Sequence, residues 1–116
     1  MVSAFRRIGP VDRVPLRGAR RVETPRGPVA IFRTGDGRFF ALDDRCPHLG
    51  GPLSEGLVCG DRVVCPLHDT EVCLSSGEAT TGPGTKRTAS HAVEVRDGFV
   101  FLAVDATPFG GGGGQS

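Results

Sequence analysis

Two short runs set a cysteine and a histidine almost side by side: Cys46-Pro47-His48 and Cys65-Pro66-Leu67-His68. Sixteen residues separate His48 from Cys65. Each run offers one soft thiolate and one imidazole. In each, a proline directly after the cysteine fixes φ and stiffens the loop. A four-donor site made of two such halves demands a fold that brings two loops face to face. The first run continues as Leu49-Gly50-Gly51-Pro52, where paired glycines let backbone pass close to a bulky inorganic group and aim N–H groups at it.

The rest of the chain reads as the scaffold for those loops. Its 116 residues suit one domain with a modest core. Tyr and Trp are absent, so the core aromatics are Phe only. Fourteen basic side chains against thirteen acidic ones give no electrostatic case for nucleic acid or an anionic membrane. The pairs Arg6-Arg7 and Arg20-Arg21 read as solvated strand edges. No apolar run follows Met1 and none elsewhere is long enough to span a bilayer, so the expected location is the cytoplasm and no membrane partner is expected.

Short β-type runs alternate with turn dipeptides, and long helical periodicity is missing. The sequence predicts strands over 20–23, 28–34 and 38–42, the last two joined by Gly35-Asp36-Gly37. A second hairpin is predicted from Ala92–Arg96 through Asp97-Gly98 to Phe99–Val104, and a third from Leu57-Val58 to Val63-Val64 through Cys59-Gly60-Asp61. This punctuation predicts an all-β antiparallel sandwich or small barrel. From about Asp43 to Gly77, turn residues, Cys and His concentrate, which reads as a loop-built subdomain inserted into the scaffold. The expected domain covers 1–108. The glycine-rich end, 109–116, is expected to be disordered.

Two Cys and two His suit a two-iron, two-sulfide cluster. With two ferric irons, two sulfides, two thiolates and neutral imidazoles, the formal charge is zero; four thiolates would make it minus two. The less negative cluster accepts an electron more readily, so histidine ligation raises the potential. Tetrahedral zinc also takes Cys₂His₂, which leaves a zinc-binding interaction module as an alternative. Zinc sites usually pair Cys with Cys and His with His, whereas each pair here is mixed.

The pattern CPH, sixteen residues, CPLH resembles the Rieske [2Fe–2S] family from about Phe5 to Val104. The resemblance implies a Rieske-type antiparallel β fold, Cys46 and Cys65 on the inner iron, and His48 and His68 on the outer one. High-potential Rieske proteins carry extra cysteines at positions matching Gly51 and Leu67, and hydroxyls of Ser and Tyr beside the cluster. Neither position is Cys here and the chain has no Tyr. The resemblance therefore implies a low-potential, ferredoxin-like member, near about −150 mV.

The stretch VAIFRTGDGRFFALDDRCPHLGGPLSEG is similar to the small subunit of assimilatory NAD(P)H-dependent nitrite reductase. That resemblance implies nitrite reduction to ammonia in nitrate assimilation. FAD, NAD(P)H and sirohaem would sit on a large flavoprotein partner, and this chain would serve as an electron-transfer subunit without bond chemistry of its own. The alternative is a Rieske ferredoxin serving an aromatic-ring dioxygenase, since those ferredoxins share much of the loop. Asp69-Thr70-Glu71 departs from relatives that carry an aromatic at Thr70, and is expected to alter cluster exposure or the partner-facing surface.

The remaining candidates have plain readings. Cys59 and Cys73 are expected to be free, at least partly buried thiols, and His91 an ordinary edge histidine at a strand start. Glu55 and Glu71 read as solvated loop carboxylates. Gly82-Pro83-Gly84 reads either as a turn or as a third loop covering the cluster. No nucleophile arrangement remains once both motif histidines bind metal, and no glycine-rich nucleotide loop is present, so no independent catalytic residue is expected.

Overall fold

The strand β3 (Gly27–Arg33) carries four consecutive fully buried residues, Val29, Ala30, Ile31 and Phe32. Side chains alternate across a strand, so an unbroken buried run means that both faces of the sheet are covered. Ala30 and Phe32 enter one apolar cluster, with Leu42, Cys46, Leu53, Val58, Val63, Cys65, Val72 and Leu74. Val29 and Ile31 enter another, with Val14, Ala41, Val100 and Leu102. Fully burying one side chain of this size stabilises a fold by roughly 1.5–3 kcal/mol.

This computed structural model describes residues 4–47, 51–66, 70–80 and 86–104. His48, Leu67, His68, Asp69, Gly82-Pro83-Gly84 and the glycine-rich end at 109–116 lie outside the described residues. Among the described residues, no helix is long and apolar enough to cross a membrane.

Among the described residues, the strands form three antiparallel sheets. The central one runs β2 (Gly18–Thr24), β3, β4 (Phe39–Asp43) and β8 (Ser90–His91) in that order. On its second cluster's side lies the sheet of β1 (Ala4–Pro10), β10 (Phe99–Val104) and β9 (Val93–Arg96). On the first cluster's side lies the small sheet of β5 (Leu57–Cys59), β6 (Arg62–Val64) and β7 (Glu71–Cys73). The all-β antiparallel expectation is met, and the segment expected to be loop-built contains this small sheet.

The predicted hairpins are all present. Asp97 and Gly98 both have positive φ, 52° and 79°, the backbone of a type I′ turn, whose twist matches the strands it joins. In β10 the outward Phe99 and Phe101 are covered by cations: Arg7 lies 5.0 Å from the Phe99 ring centroid and Arg96 4.3 Å from that of Phe101. Arg6-Arg7 and Arg20-Arg21 sit on β1 and β2, which are edge strands, as predicted.

Three strands escaped the sequence reading. β1 lacks clean alternation, and its register with β10 shifts between Arg7 and Gly9. β7 and β8 have three and two residues, too few to show a period, and exist only through pairing with β6 and β4. Four local expectations change accordingly. Glu71 is a strand residue paired with Arg62 at 3.0 Å, not a loop carboxylate. Thr70 is buried, at 5% exposure, so it does not supply a polar surface. Cys59 is exposed, against the expected partial burial, whereas Cys73 is half-buried as expected, and both are free thiols. His91 closes β8 rather than starting a strand, and its Nε2 lies 2.7 Å from Asp43 Oδ1.

Gly77 ties the small sheet to the central one. Its N–H donates to the Cys73 carbonyl at 2.7 Å, and its own carbonyl accepts from Thr88 N–H at 2.9 Å. Its φ is +80°, and an added Cβ would stand 2.1 Å from the Thr88 carbonyl oxygen. Gly77→Ala therefore combines left-handed strain with a backbone clash. It is expected to lower the unfolding free energy by at least ~2 kcal/mol in urea titration.

Candidate metal centre

The first ligand loop leaves β4 at Asp43 and is fixed to the scaffold before it reaches Cys46. Asp43 N–H donates to the Ala89 carbonyl at 2.8 Å and Asp44 N–H to that of Pro28 at 3.0 Å. The Asp44 side chain then holds the far side of the loop. One oxygen accepts from Ser54 N–H and the other from the Ser54 hydroxyl, both at 2.7 Å. The carboxylate has no solvent exposure, and Arg21 Nη1 approaches it at 3.7 Å. Ser54 lies in the 3-10 turn Leu53–Glu55, so one acidic side chain closes the whole loop.

Within that frame, Cys46 N–H donates to the Gly51 carbonyl at 2.7 Å. The second loop repeats this closure. Cys65 follows β6 directly, and its N–H donates to the Thr70 carbonyl at 2.7 Å, just before β7 begins. Each cysteine thus opens a loop shut by its own N–H against a carbonyl five residues on. The spans between, 47–50 and 66–69, contain the two predicted histidines.

Both cysteines are buried, with 1% and 0% exposure, in the same apolar cluster, and both are free thiols. A buried thiol alone packs as a small hydrophobe. Two of them, each at the mouth of an equally closed loop and drawn into one cluster, fit a pair of thiolate donors converging on an inorganic group. The placement of His48 and His68 lies outside the described residues. Asp44, Ser54 and the Thr70 carbonyl were given no role by the sequence reading. The acidic pair before Cys46 and the serine after Pro52 were the available signals.

Cys59 and Cys73 stand apart from this core. Both pair with Arg62, Cys59 from β5 and Cys73 from β7, so the two thiols lie in one cross-strand row with Arg62 between them. Side chains so placed are two strand spacings apart, too far for a disulfide without backbone movement. Cys73 Sγ lies 3.2 Å from the Ser75 hydroxyl. Hydrogen bonding from Ser75, then from Ser76, holds the Cys73 thiol below its ordinary 9.0.

Two outcomes follow. Asp44→Ala leaves the partly buried Ser54 N–H without its acceptor and should cost about 2 kcal/mol in urea unfolding, with Asp44→Asn costing less because one acceptor remains. In a Cys59→Ser background, the rate of Cys73 alkylation by iodoacetamide, followed by mass spectrometry, should reach half-maximum below pH 9.0, because the thiolate forms earlier.

The chain is similar to known proteins along most of its length. It is 42% identical over 96 residues to the 3-phenylpropionate/cinnamic acid dioxygenase ferredoxin subunit of Photorhabdus laumondii, an alignment covering 81% of this chain and 89% of that one. Its structure superposes on a chain in the complex of reduced oxygenase and oxidized ferredoxin in carbazole 1,9a-dioxygenase, with TM-score 0.78 and 30% identity, covering 90% of this chain and 96% of that one. The putative NADH-dependent nitrite reductase small subunit of Mycobacterium tuberculosis shares the fold, with TM-score 0.78 over 92% of this chain and all of that one, at 21% identity. Residues 5–95 match the Rieske [2Fe-2S] domain. With that match over most of its length, on an all-β scaffold, the chain belongs to the Rieske [2Fe–2S] family of electron-transfer proteins.

Proposed function

We propose that this chain is the ferredoxin component of an aromatic-ring dioxygenase system, passing single electrons to an oxygenase partner. The observation that carries this reading is the near end-to-end correspondence with a dioxygenase ferredoxin subunit at 42% identity. The nitrite reductase small subunit, expected from the stretch around the first loop, has weaker support. Its likeness at 21% identity speaks to the fold alone. Part of the stretch behind that expectation serves the loop itself. Asp44, Gly51 and Ser54 hold the loop closed and face inward, so they serve the cluster whatever the partner is.

Cys46 and Cys65 are assigned to one iron, and His48 and His68 to the other. Both thiols approach from the apolar side of the loops, which keeps water from them and holds them in place through the backbone. The [2Fe–2S] group, when bound, stores and releases one electron reversibly. The two N–H closures and the Asp44–Ser54 clamp would hold Cys46 and Cys65 in place whichever charge the group carried. Any flavin, NAD(P)H or sirohaem belongs to partner proteins.

The ligand assignment and the partner are tested together. Dithionite-reduced protein should give a Rieske-type electron paramagnetic resonance signal with two irons per chain, and Cys46→Ser or His68→Cys should abolish or transform it. Stoichiometric zinc without such a signal after reconstitution would point to a zinc-stapled module. Mixed anaerobically with the oxygenase component of 3-phenylpropionate dioxygenase, the reduced protein should be reoxidised on the stopped-flow timescale. Reoxidation only by a sirohaem nitrite reductase would overturn the dioxygenase reading.

A further inference from the structure

An open strand edge presents a row of unpaired N–H and C=O groups to any other chain. Among the described residues, five of the six sheet edges are blunted or covered. β1 carries the adjacent like charges Arg6-Arg7 and a register shift before Gly9, and β2 carries Arg20-Arg21. β5 and β8 have only three and two residues, and β7 is bridged by Ala79. The sixth edge is β9, Val93–Arg96, and it has no such guard. Glu94, Val95 and Arg96 are all exposed.

The pairing with β10 decides which backbone groups of β9 are free. Arg96 and Phe99 flank the two-residue turn Asp97-Gly98, and in such a hairpin the flanking pair exchanges both hydrogen bonds. Counting back along the strand, Arg96, Glu94 and Ala92 turn their N–H and C=O toward β10. The Ala103 N–H, which donates to the Ala92 carbonyl at 2.9 Å, fixes the same phase. Val95 and Val93 therefore turn theirs outward. Glu94 and Arg96 share the opposite face of the strand from Val95, with Arg96 Nε 3.3 Å from Glu94 Oε1.

We infer that β9 pairs antiparallel with β9 of a second copy of this chain, about a two-fold axis through Val95. In that register Val95 meets Val95 and exchanges both backbone hydrogen bonds with it. Glu94 of each copy then faces Arg96 of the other, at non-hydrogen-bonded positions where opposed side chains come closest and opposite charges are favoured. No free guanidinium is needed. Each copy brings its own Glu94–Arg96 pair, and the two pairs side by side make a square of four charges of alternating sign. The neighbouring symmetric registers, centred on Glu94 or on Arg96, would set like charges against each other. The same two charges thus reject the wrong registers and specify one. Val95, a large apolar side chain left 44% exposed at the strand edge, is covered by its own copy. β8 runs antiparallel to β4, so the chain passing into β9 heads away from the end of β4 that carries the first ligand loop. The pairing leaves that loop open and does not depend on which protein takes the electron.

Sedimentation velocity on the full, cluster-loaded chain, from about 1 μM to about 1 mM, should show a monomer converting to a dimer, since a short interface gives weak affinity. Glu94→Arg and Arg96→Glu should each weaken the dimer about tenfold or more, because each sets two like-charge pairs across the axis. Mixed together, the two variants should associate again, every cross-strand pair then being of opposite sign. In the wild type, deuterium exchange at the Val95 amide should slow as concentration rises, whereas that at Arg96, already bonded to β10, should not. A chain that stays monomeric over this range would overturn the inference. So would a dimer that survives both single variants, or single variants that stay apart on mixing. If a substitution disturbs the fold, the Val95 amide decides alone, and exchange there that ignores concentration overturns the pairing.

Discussion

The two-sided burial of β3 is the constraint on which the rest of the structure depends. A strand in a one-sided sheet needs apolar residues at every second position; β3 needs them at four in a row, Val29 to Phe32. One face holds the outer sheet through Val29 and Ile31. The other meets the segment with the ligand cysteines through Ala30 and Phe32. A polar residue at Phe32 would place a polar group in the apolar cluster that also holds Cys46 and Cys65. Scaffold and metal centre thus share one core, and the ligand loops do not hang from the fold as independent appendages.

On that base, the loops are shaped by few interactions. Backbone N–H groups of Cys46 and Cys65 close two loops in the same way, and Asp44 adds a charged clamp across the first. Each of these bonds is buried or nearly so, where an unmade hydrogen bond is costly and a made one holds its geometry firmly. An electron carrier gains from such rigidity, because ligands that stay in place between oxidation states leave little to reorganise.

Within the stretch that resembles nitrite reductase small subunits, Asp44, Gly51 and Ser54 are occupied in holding the first loop closed. Among the polar groups beside the first loop are three arginines, Arg21, Arg26 and Arg45. These carry little signal in a sequence with almost balanced charge, since Arg21, Arg26 and Arg45 are scattered along the chain and meet only once β2, the β2–β3 turn and the loop after β4 are packed.

The sequence by itself determined the all-β class and the three hairpins, and it singled out the four candidate donors. These rest on short-range physics: period-two alternation, glycine in tight turns, and soft and imidazole donors at fixed spacing beside proline. Tertiary structure alone decided the rest. β1, β7 and β8 exist through pairing with distant strands, and their own residues carry no period. Thr70 is buried and Glu71 ion-paired because β7 forms; Cys59 is exposed because, like Leu57, it lies on the face of β5 opposite buried Val58. Asp44 became a clamp only when Ser54, ten residues on, was folded back beneath it. Local propensity is written residue by residue, whereas these roles depend on which distant groups a closed fold brings within hydrogen-bonding reach.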